Sequence, residues 1–67
     1  MQEYRVEIIV SFVVVSSFLA MDILPFKVAE KHSGRPVTLR RNEENWIRVT
    51  ETGGQKRTFS YVVRGKA

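Results

Sequence analysis

The stretch from Tyr4 to Phe26 constrains the fold more than any other part of the chain, because it holds most of the apolar residues. It reads YRVEIIVSFVVVSSFLAMDILPF, and its only charged residues are Arg5, Glu7 and Asp22. Removal of apolar surface from water is the dominant favourable term in folding and in association. The native protein must therefore hold this stretch in its own core, against a partner or in a membrane.

The first half of this stretch has the residue pattern of a β-strand. Its apolar positions recur with a period of two, beginning with Tyr4, Val6, Ile8 and Val10. Most residues up to Val15 are β-branched or aromatic, which suits a pleated sheet. We predict one long strand, Glu3–Val15, ended by Ser16 and Ser17. Because its second half is apolar on both faces, one helix cannot cover it, and a partner subunit or the rest of the chain must cover the other face.

Pro25 restricts where the helix that follows can begin. A helix from Ser17 would carry Pro25 in its interior, where proline costs about 3 kcal/mol. With Asp22 as the N-cap, Pro25 falls in the first turn, where its missing N–H costs nothing. We therefore predict a helix over Ile23–His32 with a helical or irregular lead-in at Phe18–Met21. A kinked helix that starts at Ser17 is the alternative.

The remainder of the chain has the pattern of a β-meander. Gly34 and Pro36 are typical of a helix end. Three strands are predicted after them, at Pro36–Arg41, Trp46–Glu51 and Lys56–Arg64, joined by turns at Asn42–Asn45 and Thr52–Gln55 and followed by a frayed end at Gly65–Ala67. The predicted fold is a small single α+β domain, residues 1–67, with β-α-β-β-β order. It has a mainly antiparallel sheet with one helix packed on a face.

Alternation within the meander separates a core face from an outer face. The predicted core residues are Val37, Leu39, Ile47, Val49, Phe59, Tyr61 and Val63. The opposite face is rich in arginine and hydroxyl groups, with Thr38, Arg40, Trp46, Arg48, Thr58 and Arg64. Arginine presents a rigid fork to phosphates, and an aromatic ring can stack on an unpaired base. The predicted nucleic-acid-binding residues are Arg40, Arg41, Trp46, Arg48, Lys56, Arg57 and Arg64. A solvated face, on which arginine stems cover Trp46, is the alternative.

One segment of the meander resembles a known DNA-binding family. In RRNEENWIRVTETGGQKRTF, a strand with tryptophan precedes a glycine turn, basic residues and a phenylalanine; the matching positions are Trp46, Val49, Gly54, Lys56, Arg57 and Phe59. This arrangement is similar to that of the arm-binding domain of tyrosine recombinases. That family places its helix after the meander, whereas the helix predicted here precedes it. No binding residue is therefore assigned from the resemblance.

Composition narrows the classes of partner. The chain has 11 Lys and Arg residues against 7 Asp and Glu residues. Its net charge of +4 and isoelectric point near 10.0 favour nucleic acid or an acidic protein as the partner. Cysteine is absent and His32 is the only histidine, so we predict no disulfide, no metal and no cofactor. A cytoplasmic location, with which the absence of cysteine agrees, is expected.

Chain length favours association with a second molecule. A domain of this size buries only about 60% of the surface that its unfolded chain exposes. Without disulfides or metals, small domains need unusually good packing or oligomerisation. The surplus of apolar residues in the first stretch is typical of an interface. For a homo-oligomer or another partner, the predicted interface residues are Ile9, Val13, Val15, Phe18, Leu19 and Phe26.

Two further functional classes, a membrane protein and an enzyme, agree less well with the sequence. The uncharged run from Ile8 to Met21 is 14 residues long, whereas a membrane-spanning helix needs about 20, so a membrane partner is not expected. No catalytic motif is present, although a triad could be assembled on paper from Asp22, Glu30, His32, Ser33 and Ser60. We therefore predict a non-enzymatic basic binding module, first of all a nucleic-acid-binding accessory or regulatory protein. The alternatives are a phage- or plasmid-type protein inhibitor or adaptor that uses an apolar strand or sheet edge, and a small single-span membrane subunit.

Overall fold

A computed structural model describes residues 1–64, which form a five-stranded sheet with one helix on one face. Along the chain the elements are β1 (Gln2–Val10), β2 (Val13–Asp22), α1 (Pro25–Ser33), β3 (Val37–Leu39), β4 (Trp46–Glu51) and β5 (Thr58–Val63). Across the sheet the strand order is β2-β1-β4-β5-β3, and each neighbouring pair is antiparallel. The predicted α+β class is confirmed, with one strand more than predicted before the helix. The frayed end predicted at 65–67 lies outside the described residues.

The additional strand arises because a tight turn at Ser11 and Phe12 divides the predicted strand Glu3–Val15. Both residues have positive φ, 51° and 66°, as a two-residue type I′ hairpin requires. The usual Asn-Gly signature of such a turn is absent, so the sequence pattern did not reveal it. Distant groups hold the turn in place: Ser11 N–H donates to Asn45 Oδ1 (2.8 Å) and Phe12 N–H donates to the Glu44 carbonyl (3.0 Å).

Strand β2 continues well past the predicted strand end at Ser16 and Ser17. It pairs with β1 from Val13, opposite Val10, to Asp22, opposite Gln2. The predicted helical or irregular lead-in at 18–21 was therefore wrong, because pairing with β1 satisfies the backbone of this segment as a strand. Val14 pairs with Ile9, and Ser16 pairs with Ile8. Val15, which lies between them in β2, has no partner in β1 and forms a β-bulge.

The helix begins at Pro25, two residues later than predicted. Leu24 is the N-cap residue, and no side chain caps this end. Asp22 instead accepts a hydrogen bond from Ile23 N–H (2.7 Å), so its predicted role as N-cap was wrong. The placement of Pro25 in the first turn is confirmed, and the alternative helix from Ser17 is wrong.

The end of the helix agrees with the sequence pattern. Gly34 takes the left-handed conformation, with φ 71°, and its N–H donates to the Glu30 carbonyl (2.7 Å). Glycine adopts this conformation without the steric cost of a Cβ. Helix α1 then lies on the sheet through Val28 and Ala29, both fully buried.

The core lies between α1 and one face of the sheet. Its buried members are Tyr4, Val6, Val28, Ala29, Ile47, Val49 and Tyr61, with Ile8, Ala20, Val37 and Phe59 packed at the margin. Two predicted core residues are wrong, because Leu39 is 66% exposed and Val63 is 40% exposed. A helix of nine residues spans only about 14 Å, so it does not cover the whole sheet. No helix within residues 1–64 is long and apolar enough to cross a membrane.

Candidate binding surfaces

The sheet surface opposite α1, called here the outer face, has no helix over it within residues 1–64. Strand register aligns its side chains in three rows, of which two run across β1, β4 and β5 and one runs across β1 and β4. The rows are Arg5–Thr50–Thr58, Glu7–Arg48–Ser60 and Ile9–Trp46. Cationic, hydroxyl and aromatic groups are therefore neighbours on one open surface.

Arg40 and Trp46 form the most ordered contact of the outer face. The Arg40 guanidinium carbon lies 3.8 Å from the centroid of the Trp46 ring. Arg40 is held at both ends, since its backbone N–H donates to the Ser60 carbonyl (3.0 Å) and its Nε donates to the Glu43 carbonyl (2.9 Å). Phe12 packs edge-on against Trp46, with the ring centroids 6.0 Å apart. The Arg40 hydrogen bonds thus hold its guanidinium group over the tryptophan ring.

Arg48 lies in the next row and is partly neutralised. Its Nε donates to Glu7 Oε1 at 2.7 Å across β4 and β1. This hydrogen bond from Arg48 is the main cause that lowers the pKa of Glu7 below its ordinary value. Glu7 therefore stays ionised at neutral pH and offsets much of the charge of Arg48.

The structure separates Arg57 from the outer face. Arg57 pairs with Glu51, which is buried on the helix side of the sheet, through Nη2–Oε2 (3.0 Å) and through its backbone N–H to Oε1 (3.0 Å). The side-chain hydrogen bond with Arg57 lowers the pKa of Glu51 and raises that of Arg57. Placing Arg57 with the outer arginines was wrong, because a buried carboxylate needs a cation beside it. Lys56 lies in the same β4–β5 connection, with φ 55°.

The remaining predicted arginines lie at the margins. Arg41 is in the loop after β3, where its N–H donates to Glu43 Oε1 (2.8 Å). Arg64 follows β5, and its N–H donates to the Pro36 carbonyl (2.9 Å). Both side chains are exposed. The structure thus brings Arg40, Trp46 and Arg48 together, places Arg41 and Arg64 near the sheet edge, and separates Lys56 and Arg57.

Sequence reasoning missed Arg5, which lies beside Thr50 in the first row. The strand alternation that put Tyr4 and Val6 on one face also put Arg5 and Glu7 on the other. The predicted surface comprised only residues of the meander, so it did not include β1. Arg5 is exposed, and it adds a cation to the outer face on β1, next to the edge strand β2.

The second surface lies along β2, which is an edge strand of the sheet. Of the predicted interface residues, Val13, Val15, Phe18, Leu19 and Phe26 are all exposed. Ile9 is only 2% exposed, so its assignment to an interface was wrong. It lies between Val14 and Trp46 in the strand register, where these neighbours already cover it. Exposed apolar residues that reasoning from the sequence did not select extend this surface at Phe12, Met21, Ile23 and Leu24.

An open groove occupies the part of the core face that the short helix leaves uncovered. Its volume is about 1030 Å³, and its apolar walls include Ile8, Val10, Ile47 and Val63. His32 and Ser33 border it at the helix end. No group of three or more metal-ligating side chains occurs among residues 1–64. The groove is therefore apolar core surface that α1 leaves uncovered.

Comparison with known proteins adds no assignment. No protein-family model matches the chain, and no curated protein or solved structure matches it at a significant level. The resemblance to recombinase arm-binding domains receives no support from these comparisons, and α1 precedes the meander here. Function must therefore be argued from the two surfaces themselves.

Proposed function

We propose that this protein binds single-stranded nucleic acid through its outer face and catalyses no reaction. The observation that carries the proposal is the Arg40 guanidinium held 3.8 Å over Trp46 on an uncovered sheet. Arginine planes and aromatic rings are the groups on which proteins stack unpaired bases. Here the ring and the plane already form one platform, so a base would stack on the free side of Arg40.

Phosphate contacts would come from the neighbouring rows. Arg5 is exposed beside Thr50, and Arg48 lies beside Ser60 with only its Nε used in the bond to Glu7. A guanidinium group can donate two parallel hydrogen bonds to the oxygens of one phosphate, and a hydroxyl group donates one hydrogen bond. When the sugar-phosphate backbone of a nucleic acid crosses these rows, its phosphate charges can therefore be neutralised while its bases reach the Arg40–Trp46 platform.

Preference for single strands follows from the shape of the surface. A duplex hides the faces of its bases, and the readers of its major groove insert a helix or a narrow β-ribbon. Helix α1 lies on the opposite side of the sheet, and its Val28 and Ala29 are buried in the core. The open sheet instead offers stacking and phosphate contacts, which suit exposed bases.

The test measures binding of a fluorescent oligonucleotide of about 20 nucleotides, as single strand and as duplex, by anisotropy at several salt concentrations. The double variant Arg5→Gln/Arg40→Gln removes two outer-face cations. Lys27→Gln/Arg35→Gln removes two cations from α1 and the loop after it, and it is the matched control. We expect at least a tenfold loss for the first variant and a much smaller loss for the control.

The salt dependence gives a second reading of the same experiment. Each neutralised phosphate of a single strand contributes about 0.7 to the slope of log affinity against log salt. Loss of the Arg5 phosphate contact should therefore lower that slope by roughly 0.7 in Arg5→Gln/Arg40→Gln, whereas loss of the Arg40 platform should lower the affinity at every salt concentration. Equal losses in both double variants would show that only net charge matters. That result, or the absence of binding by the wild-type protein at low salt, would overturn the proposal.

A further inference from the structure

The two edges of the sheet are built differently. Strand β3 forms one edge with three residues and is bordered by Pro36 and Arg40. Strand β2 forms the other edge with ten residues, and no segment among residues 1–64 covers it. Natural proteins protect sheet edges with short strands, proline, charge or a covering element. The β3 edge has such protection, whereas the β2 edge has one bulge, at Val15.

The backbone groups that face the open edge can be assigned. Thr52 N–H donates to the Glu3 carbonyl (3.2 Å), so Glu3 directs its backbone polar groups towards β4. Its partner in β2 is Met21. In an antiparallel pair, residues that do not bond to each other direct their N–H and C=O groups to the opposite sides. Met21 therefore directs its groups to the open edge, and alternation in the regular segment after the bulge gives Leu19 and Ser17 the same direction.

This edge is complementary to itself. From Val13 to Met21 it carries no charge, so a second copy meets no like-charge repulsion. An antiparallel partner uses all three free backbone pairs when Leu19 lies opposite Leu19 of the second copy. In that register Ser17 exchanges hydrogen bonds with Met21 of the second copy, and Met21 with Ser17 of the second copy.

The apolar residues beyond the strand agree with the same register. It brings the hairpin end of β2 in one copy beside the helix end of β2 in the other. Phe12 is 62% exposed and Ile23 is 67% exposed in the single chain. Exposed apolar residues therefore lie at both ends of β2, where the two copies would meet.

We infer that the protein is a homodimer in which the β2 strands pair antiparallel about a two-fold axis beside Leu19. Two five-stranded sheets then become one continuous sheet. Because the axis is perpendicular to the sheet, both α1 helices lie on one side and both outer faces lie on the other. The inference rests on the β2 edge and does not depend on nucleic-acid binding.

The first test is a pair of cysteine variants in a chain that has no cysteine of its own. Leu19→Cys places two sulfur-bearing residues opposite each other, with Cα atoms about 5.5 Å apart, within disulfide range. Met21→Cys is the matched control, because Leu19 and Met21 are each 57% exposed on the same strand. In the inferred register its two copies are offset by about 14 Å along the strands. Under mild oxidation we expect Leu19→Cys to form covalent dimers at least tenfold faster.

The second test is the mass in solution by light scattering over a range of protein concentrations. We expect twice the chain mass of 7.8 kDa for the wild-type protein and a return to the chain mass for Leu19→Lys, with circular dichroism verifying the fold. Leu39→Lys adds the same charge at the protected β3 edge and should remain dimeric. A monomeric wild-type protein at millimolar concentration would overturn the inference. So would a dimer that survives Leu19→Lys, or equal cross-linking rates in the two cysteine variants.

Discussion

Two carboxylates are almost completely buried and yet ionised. Asp22 and Glu51 are each 4% exposed, and each has a cation beside it: Lys31 at 2.8 Å and Arg57 at 3.0 Å. The hydrogen bond from the cation is the main cause that lowers the pKa of each carboxylate. Removal of either cation would leave a buried charge uncompensated, which is strongly destabilising.

These lowered pKa values predict how stability depends on pH. A carboxylate with a lower pKa in the folded than in the unfolded state stabilises the fold above its unfolded value, about 4. That contribution disappears as the pH falls through the folded pKa. We expect the urea midpoint, followed by Trp46 fluorescence, to be level near neutral pH and to fall below about pH 4.

A matched pair of variants isolates the part that Glu51 contributes. Glu51→Gln should be less stable than the wild-type protein at pH 7 and should lose less stability between pH 5 and pH 2. Glu44→Gln removes an exposed carboxylate that forms no ion pair within residues 1–64, and should keep the wild-type profile. Identical profiles for Glu51→Gln and the wild-type protein would contradict this account.

The turn of the β1–β2 hairpin depends on contacts with residues far along the chain. Ser11 and Phe12 adopt the left-handed conformation with positive φ, which glycine and asparagine adopt more readily than other residues. The hydrogen bond from Ser11 N–H to Asn45 spans 34 positions in sequence. The hairpin turn is therefore stabilised by the loop before β4.

The turn conformation predicts the effect of a β-branched residue there. Ser11→Val places a β-branched side chain at φ 51°, where such residues are rarely tolerated, so it should lower the free energy of unfolding relative to the wild-type protein. Ser17→Val is the matched control in the extended part of β2, where valine is favoured. Urea unfolding at one protein concentration measures both. Equal stability of the two variants would argue against a left-handed turn at this position.

At the scale of the whole molecule, the two proposals combine into one geometric expectation. A sheet of ten strands is roughly 48 Å wide at about 4.8 Å per strand, and it presents two outer faces on the same side. An oligonucleotide that reaches both faces gains from the high effective concentration of the second one.

This expectation can be tested through oligonucleotide length. Anisotropy at one salt concentration gives the ratio of the affinity for a 20-nucleotide strand to the affinity for a 6-nucleotide strand. We expect this ratio to be at least ten times larger for the wild-type protein than for Leu19→Lys. Leu39→Lys carries the same added charge and should retain the wild-type preference. If Leu19→Lys kept the full length preference, the two outer faces would not act together.

The features that the sequence alone determined are those with local causes. The ring of Pro25 excludes it from a helix interior, and Gly34 suits the left-handed residue that ends the helix. The alternation in β4 and β5 separated the buried Val49 from Arg48 on the other face. Backbone restrictions and strand periodicity act within a few residues, so the α+β class and the Arg40–Trp46–Arg48 surface could be predicted.

Only the tertiary structure decided the features that depend on distant partners. The turn at Ser11 is held by the loop before β4, and the burial of Ile9 depends on Trp46 from another strand. The assignment of Arg57 to the helix side follows from the burial of Glu51. Strand order also made β2 an open edge. Such features arise from pairing and packing between segments far apart in sequence, and periodicity within one segment carries no information about them.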